Sequence, residues 1–133
     1  MKKLFTLLSI AIGASLANAQ TITNEADLVT PAKLAAVEGR DTGSDSLSSG
    51  NVIWIKTELK AHKHLTHSEH VYVIDGEAEM RLGDKTVKIK NGDIIFVPKG
   101  TVHAVKVTSK RPLKVLSVQA PHSDGTDRVF VNE

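Results

Sequence analysis

The stretch EHVYVIDGEAEMRLGDKTVKIKNGDIIFV, residues 69–97, decides the fold. Its short runs of β-branched and aliphatic residues are separated by three pairs, Asp75-Gly76, Gly83-Asp84 and Asn91-Gly92. Pairs of this kind accept the positive φ of primed two-residue turns, which match the twist of paired strands. We therefore read them as hairpin turns joining strands at Glu69–Ile74, Glu77–Leu82, Thr86–Lys90 and Ile94–Val97. Working outward, strands are expected at Val52–Leu59, Val102–Val107 and Leu113–Gln119. Arg128-Val129-Phe130-Val131 looks like one more, able to pair within the subunit or across an interface. Short strands about 8 to 12 residues apart, with no long helix to cover a parallel sheet, predict an all-β antiparallel barrel or jelly roll.

With 133 residues there is room for one core of ordinary size and not two. Lys2 and Lys3 precede an apolar run from Leu4 to Leu16, and Ala17-Asn18-Ala19 has the small-x-small pattern of a signal peptidase site. Residues 1–19 thus read as a secretory signal. Their apolar part is well short of the roughly 20 residues that span a bilayer, so no stable membrane anchor is expected. The chain beginning near Gln20 is expected to be exported, to the periplasm. It contains no cysteine, which excludes disulfides, thiolate ligands and lipid attachment through a cysteine. Without Lys2 and Lys3 the basic and acidic side chains number fifteen each, and few aromatics remain, so nucleic acid is not an expected partner. Thr30-Pro31 resembles a cap followed by proline at a first helical position, so a short N-terminal helix is expected through Val37, ending at Gly39. Residues 40–50 hold many turn formers without periodicity and read as a flexible arm, making 20–50 an entrance to a barrel domain at 51–133.

Four of the six histidines, His62, His64, His67 and His70, fall within nine residues, beside Glu69. His62 and His64 leave the same face if their segment is extended. Two converging imidazoles and a carboxylate suit a borderline transition ion; a solvated histidine-rich loop is the other reading of the same residues. Strand alternation puts Glu69, Val71 and Val73 on one face and His70, Tyr72 and Ile74 on the other. On that parity His70 is an outer-face or inter-sheet residue in preference to a ligand, and Tyr72 a core residue in preference to a hydrogen-bond donor to substrate. His67 reads as a solvated loop histidine in preference to an acid or base at the barrel mouth, and His122 as a surface residue.

The spacing resembles the cupin superfamily, whose first motif is G-x5-H-x-H-x3,4-E-x6-G and whose second is G-x5-P-x-G-x2-H-x3-N. His62, His64, Glu69 and Gly76 fit the first motif, and Gly92, Pro98, Gly100 and His103 fit the second. Fifteen residues separate Gly76 from Gly92, as in small single-domain bacterial cupins. Lys56 stands in place of the first motif's leading glycine and Val107 in place of the second motif's closing asparagine. The resemblance, covering residues 52 to about 119, implies that His62, His64, Glu69 and His103 hold one divalent transition metal, Zn, Mn, Fe or Ni.

A four-coordinate ion on these ligands would be closed and structural, whereas a five- or six-coordinate ion would keep positions open for a small-molecule ligand. The preferred expectation is a metal-dependent enzyme of oxygenase, isomerase or lyase type. The alternatives are a module that binds or senses a small molecule or metal without turnover, and a barrel whose metal only closes the fold. Apolar residues on both faces of Val52-Ile53-Trp54-Ile55 and Ile94-Ile95-Phe96-Val97 favour a homodimer, packed sheet to sheet or by exchange of the 40–50 arm.

Overall fold

The computed structural model describes residues 21–132, and the signal-like segment 1–19 lies outside them. Ten strands follow one another: β1 Val37–Ser44, β2 Ser49–Ile55, β3 Glu58–His64, β4 Ser68–Asp75, β5 Glu77–Leu82, β6 Lys85–Lys90, β7 Ile94–Val97, β8 His103–Val107, β9 Leu113–Ala120 and β10 Arg128–Phe130. They form two five-stranded sheets, ordered β1-β2-β9-β4-β7 and β10-β3-β8-β5-β6, with every pairing antiparallel. This is the expected jelly roll. Alternate residues of each strand face the space between the sheets, where Val73, Met80, Ile89, Val97, Leu113 and Val115 are buried together.

All three glycine pairs turn the chain with a positive φ at glycine, but only one of them closes a hairpin. Gly83-Asp84 closes a hairpin, with Leu82 opposite Lys85, and Gly83 takes a φ of 61°. Asp75-Gly76 and Asn91-Gly92 do not close hairpins: β4 and β7 belong to one sheet and β5 and β6 to the other, so both pairs carry the chain across the sandwich. A corner and a hairpin make the same demand for positive φ, which is why the residues alone do not separate them. Lys56, where the family pattern has glycine, adopts no positive φ and donates its N–H to the Ala36 carbonyl. Val107 donates its N–H to Thr57.

The N-terminal helix is corrected. Residues 30–36 form no helix, and the only helical turn among the described residues is a 3-10 turn at Glu25–Asp27, capped by Asn24. A two-turn helix is marginal on its own. The chain instead pairs Val37 to Ser44 with the otherwise open edge of β2. The flexible arm is corrected with it, since residues 40–50 are a hairpin whose tip is held by Asp45, accepting from the Leu47 and Ser48 N–H groups at 2.8 and 3.0 Å. Preceding this hairpin, Leu28 and Leu34 pack over Val52 and Trp54 on the outer face of the first sheet. Half of the two-sided apolar pattern is therefore covered by the chain's own N-terminal segment. Ile94 and Phe96 stay exposed, and so does Tyr72, which is not the core residue its parity suggested.

Candidate metal centre

His62 and His64 sit two apart on β3 and both face inward. His103 on β8 stands directly opposite His62 in the register, with ring centroids 4.1 Å apart. Glu69 reaches across from β4 of the facing sheet. Its Oε2 lies 3.6 Å from His103 Nε2 and 3.9 Å from His64 Nε2. One ligand atom from each of His62, His64 and His103 can be chosen so that all lie within 4.8 Å of one another. The structure thus brings together all four residues singled out from the sequence, and none is more than 6% exposed.

Neighbouring groups fix how these side chains point. His62 Nδ1 is 2.8 Å from the Lys60 carbonyl and His103 Nδ1 is 3.0 Å from the Thr101 carbonyl. Because a carbonyl only accepts, both Nδ1 atoms carry the proton and Nε2 keeps the lone pair. Glu69 Oε1 accepts from the Ser117 hydroxyl and, at 3.4 Å, from Gln119 Nε2, leaving Oε2 turned toward the histidines. Burial above all, with the nearby Arg128 guanidinium adding, pushes His62 down to about 4. Burial likewise lowers His64. For Glu69, burial alone would raise the pKa, but the His103 side chain beside it and the Ser117 hydroxyl that donates to it outweigh that and bring the carboxyl down to about 2. Neutral imidazoles beside an ionised carboxylate are the protonation states that ligation requires. Three nitrogens and one carboxylate oxygen are a donor set fitted to Zn, Mn, Fe or Ni.

The sequence reading missed two residues. His67, expected to be solvated, is 1% exposed; its ring lies 4.1 Å from that of His64 and its Nδ1 is 2.9 Å from Asp127 Oδ2. The cause is the segment before β10, which folds back so that Asp127 Oδ2 accepts from Thr66 N at 3.1 Å and Thr66 Oγ1 at 2.8 Å. Burial would raise Asp127, but these bonds and His67 hold its carboxyl at about 2. The strand-like run Arg128–Phe130, paired with β3, places Asp127 next to this loop, and that run is the signal in the sequence that points to it. His64 Nδ1 and His67 Nε2 are buried without a hydrogen-bond partner, and His64, His67 and Asp127 form a second group of possible ligands beside the first. His70, whose ring lies tilted against that of Phe96, and His122 are exposed, as expected.

Inside the barrel, the space bounded by the four residues and by Ile53, Leu59, Val71 and Met80 amounts to about 40 Å³. That volume admits a few waters, whereas sites that enclose a whole small molecule usually offer roughly 300 to 1,000 Å³.

A Cupin domain family model matches residues 52–119. An uncharacterized protein of Aquifex aeolicus (strain VF5) is 36% identical over 80 residues, 60% of this chain and 65% of that protein, so the chain spans just under two thirds of this relative's length. Among solved structures, an uncharacterized conserved protein with a double-stranded beta-helix domain from Klebsiella pneumoniae aligns at a TM-score of 0.72 and 24% identity, over 86% of this chain and all of the other. The Streptomyces nucleoside dehydratase Pac13 aligns at 0.64 and 17%, over 73% and 79% of the two chains. At such identities these structures speak for the fold alone. With both histidine-bearing stretches inside the matched residues, and those residues making up more than half of the chain, this protein belongs to the cupin family.

Proposed function

We propose that this chain is a metal-dependent cupin enzyme in which His62, His64, Glu69 and His103 hold one divalent transition ion and a small molecule reacts beside it. The observation that carries the reading is the convergence of four buried donors from three strands and both sheets. When bound, such an ion supplies Lewis acidity or, as iron, a route to dioxygen, in keeping with an isomerase, lyase or oxygenase. The chain's own residues do the rest. The Lys60 and Thr101 carbonyls set the imidazoles, Ser117 and Gln119 hold Glu69, and Ile53, Leu59, Val71 and Met80 keep bulk water out.

The tight interior limits what enters. Pac13 is described with uridine, but a space of about 40 Å³ takes only the reacting end of such a molecule. The same tightness favours a second reading, in which the ion closes the fold without turnover. The absorption spectrum of the Co(II)-loaded protein separates the two. Weak bands of a five- or six-coordinate ion support an open position, whereas the intense bands of a tetrahedral ion would sink the enzymatic reading.

Export to the periplasm is supported by the signal-like residues 1–19. A homodimer is supported by the exposed apolar group Tyr72, Ile94, Phe96 and Val118 on the outer face of the first sheet.

A further inference from the structure

Arg128 opens β10 and stands opposite His64 in the register, so both side chains leave the same, inward face. It borders two spaces at once: the inner cavity at the four donors, and an outer cleft of about 510 Å³ that also touches Asp41, Ser49, His122 and Asp124. Ile53 is the other residue common to both, so the two form a throat between cleft and cavity. The Arg128 Nε atom is buried and has no hydrogen-bond partner. Among the described residues no carboxylate lies within ion-pair distance of its guanidinium. The nearby acids are committed elsewhere: Asp127 to Thr66 and His67, Asp41 to Gly43 and Ser44, Asp124 to Thr126.

A buried donor left unpaired costs free energy, and a guanidinium answers best to a planar oxyanion. A divalent ion offset only by Glu69 would keep a net positive charge, and Arg128 adds to it within one cavity of low dielectric, where uncompensated charge is costly. We infer that Arg128 is a specificity-determining residue that receives a carboxylate group of the ligand at the throat, so that the molecules this site accepts are small organic acids entering from the outer cleft. The inference rests on the metal-centre reading only for the direction in which the acid's reactive end points. A guanidinium at the throat binds a carboxylate with or without the ion.

The experiment uses the full chain, with acetate as the probe and acetamide as its uncharged counterpart, both titrated into metal-free and Co(II)-loaded protein. In the wild type, acetate is expected to bind about tenfold or more tightly than acetamide and to shift the Arg128 Nε–H resonance. Arg128→Gln is expected to remove that preference while leaving acetamide binding and metal content unchanged, and Arg128→Lys to restore part of it. Equal binding of the two probes by the wild type, an unmoved Nε–H resonance, or an acetate affinity unchanged in Arg128→Gln each overturns the inference. The wild-type resonance decides the matter even if the variant does not fold. If acetate moves it in protein that takes up no metal, the metal-centre reading fails and the carboxylate site stands; metal uptake without discrimination between the probes gives the converse.

Discussion

Glu69 shows most plainly how one residue joins fold to site. One oxygen is held by Ser117 and Gln119 on the neighbouring β9, and the other faces two histidines of the opposite sheet. Loss of a group that only orients a ligand costs about 10- to 100-fold in metal affinity, and loss of the ligand itself costs more. Ser117→Ala is thus expected to weaken metal binding within that range and Glu69→Gln beyond it, measured by competition with a chelator. Equal effects would deny Glu69 its place as a ligand. The same residues set an acid limit for the metal-free protein. His62, near 6.5 when unfolded and about 4 when folded, leaves the folded chain short of a proton that the unfolded chain takes up, so stability falls as pH drops from about 6.5 toward 4. Glu69, about 2 when folded against an ordinary 4.5, lowers it further between those values. Melting temperatures at pH 7, 5.5 and 4 should decrease in that order; a flat profile would contradict the assignment. The four candidate ligands were legible because their spacing is local to two short stretches. His67 was not, because its burial depends on Asp127, sixty residues away, and alternation says nothing inside a loop.

At the scale of elements, the strands from β4 to β9 were readable to within a residue or so, since each is a short run rich in β-branched or aliphatic residues that ends at a glycine, proline or polar pair. The N-terminal third was not. Val37 to Ser44 has too few apolar residues to announce a strand, and it is one because β2 offers an open edge. The corners illustrate a related limit. Gly76 has a φ of 90°, and an added Cβ would meet the Leu113 Cα and Pro112 O at 3.0 Å; at Gly92, with nearly the same φ of 91°, it would meet nothing within 4 Å. Gly92→Ala should cost about 1 to 2 kcal/mol in strain alone, and Gly76→Ala clearly more, because backbone must move. Urea unfolding of the two variants checks this, and equal losses would mean that the corner at Gly76 is not packed as described.

The whole molecule joins two sheets, each with one face in a shared core, and the outer face of the first sheet is covered over only part of its width. Over Val52 and Trp54 the N-terminal segment supplies a cover, while Ile94 and Phe96, 74% and 50% exposed, have none among the described residues. If that face meets its copy in a second subunit, Phe96→Glu should halve the mass measured by light scattering and leave the melting of metal-free monomer nearly unchanged; an unaltered mass would remove the sheet-to-sheet dimer. The site between the sheets depends on no such partner, since its four donors come from one chain. The most direct test is therefore the metal content of untagged protein, wild type beside His103→Ala, after gel filtration. One divalent transition ion per wild-type chain, lost in the variant, is the expected result. A wild type without metal, or a variant that keeps its full complement, would contradict it.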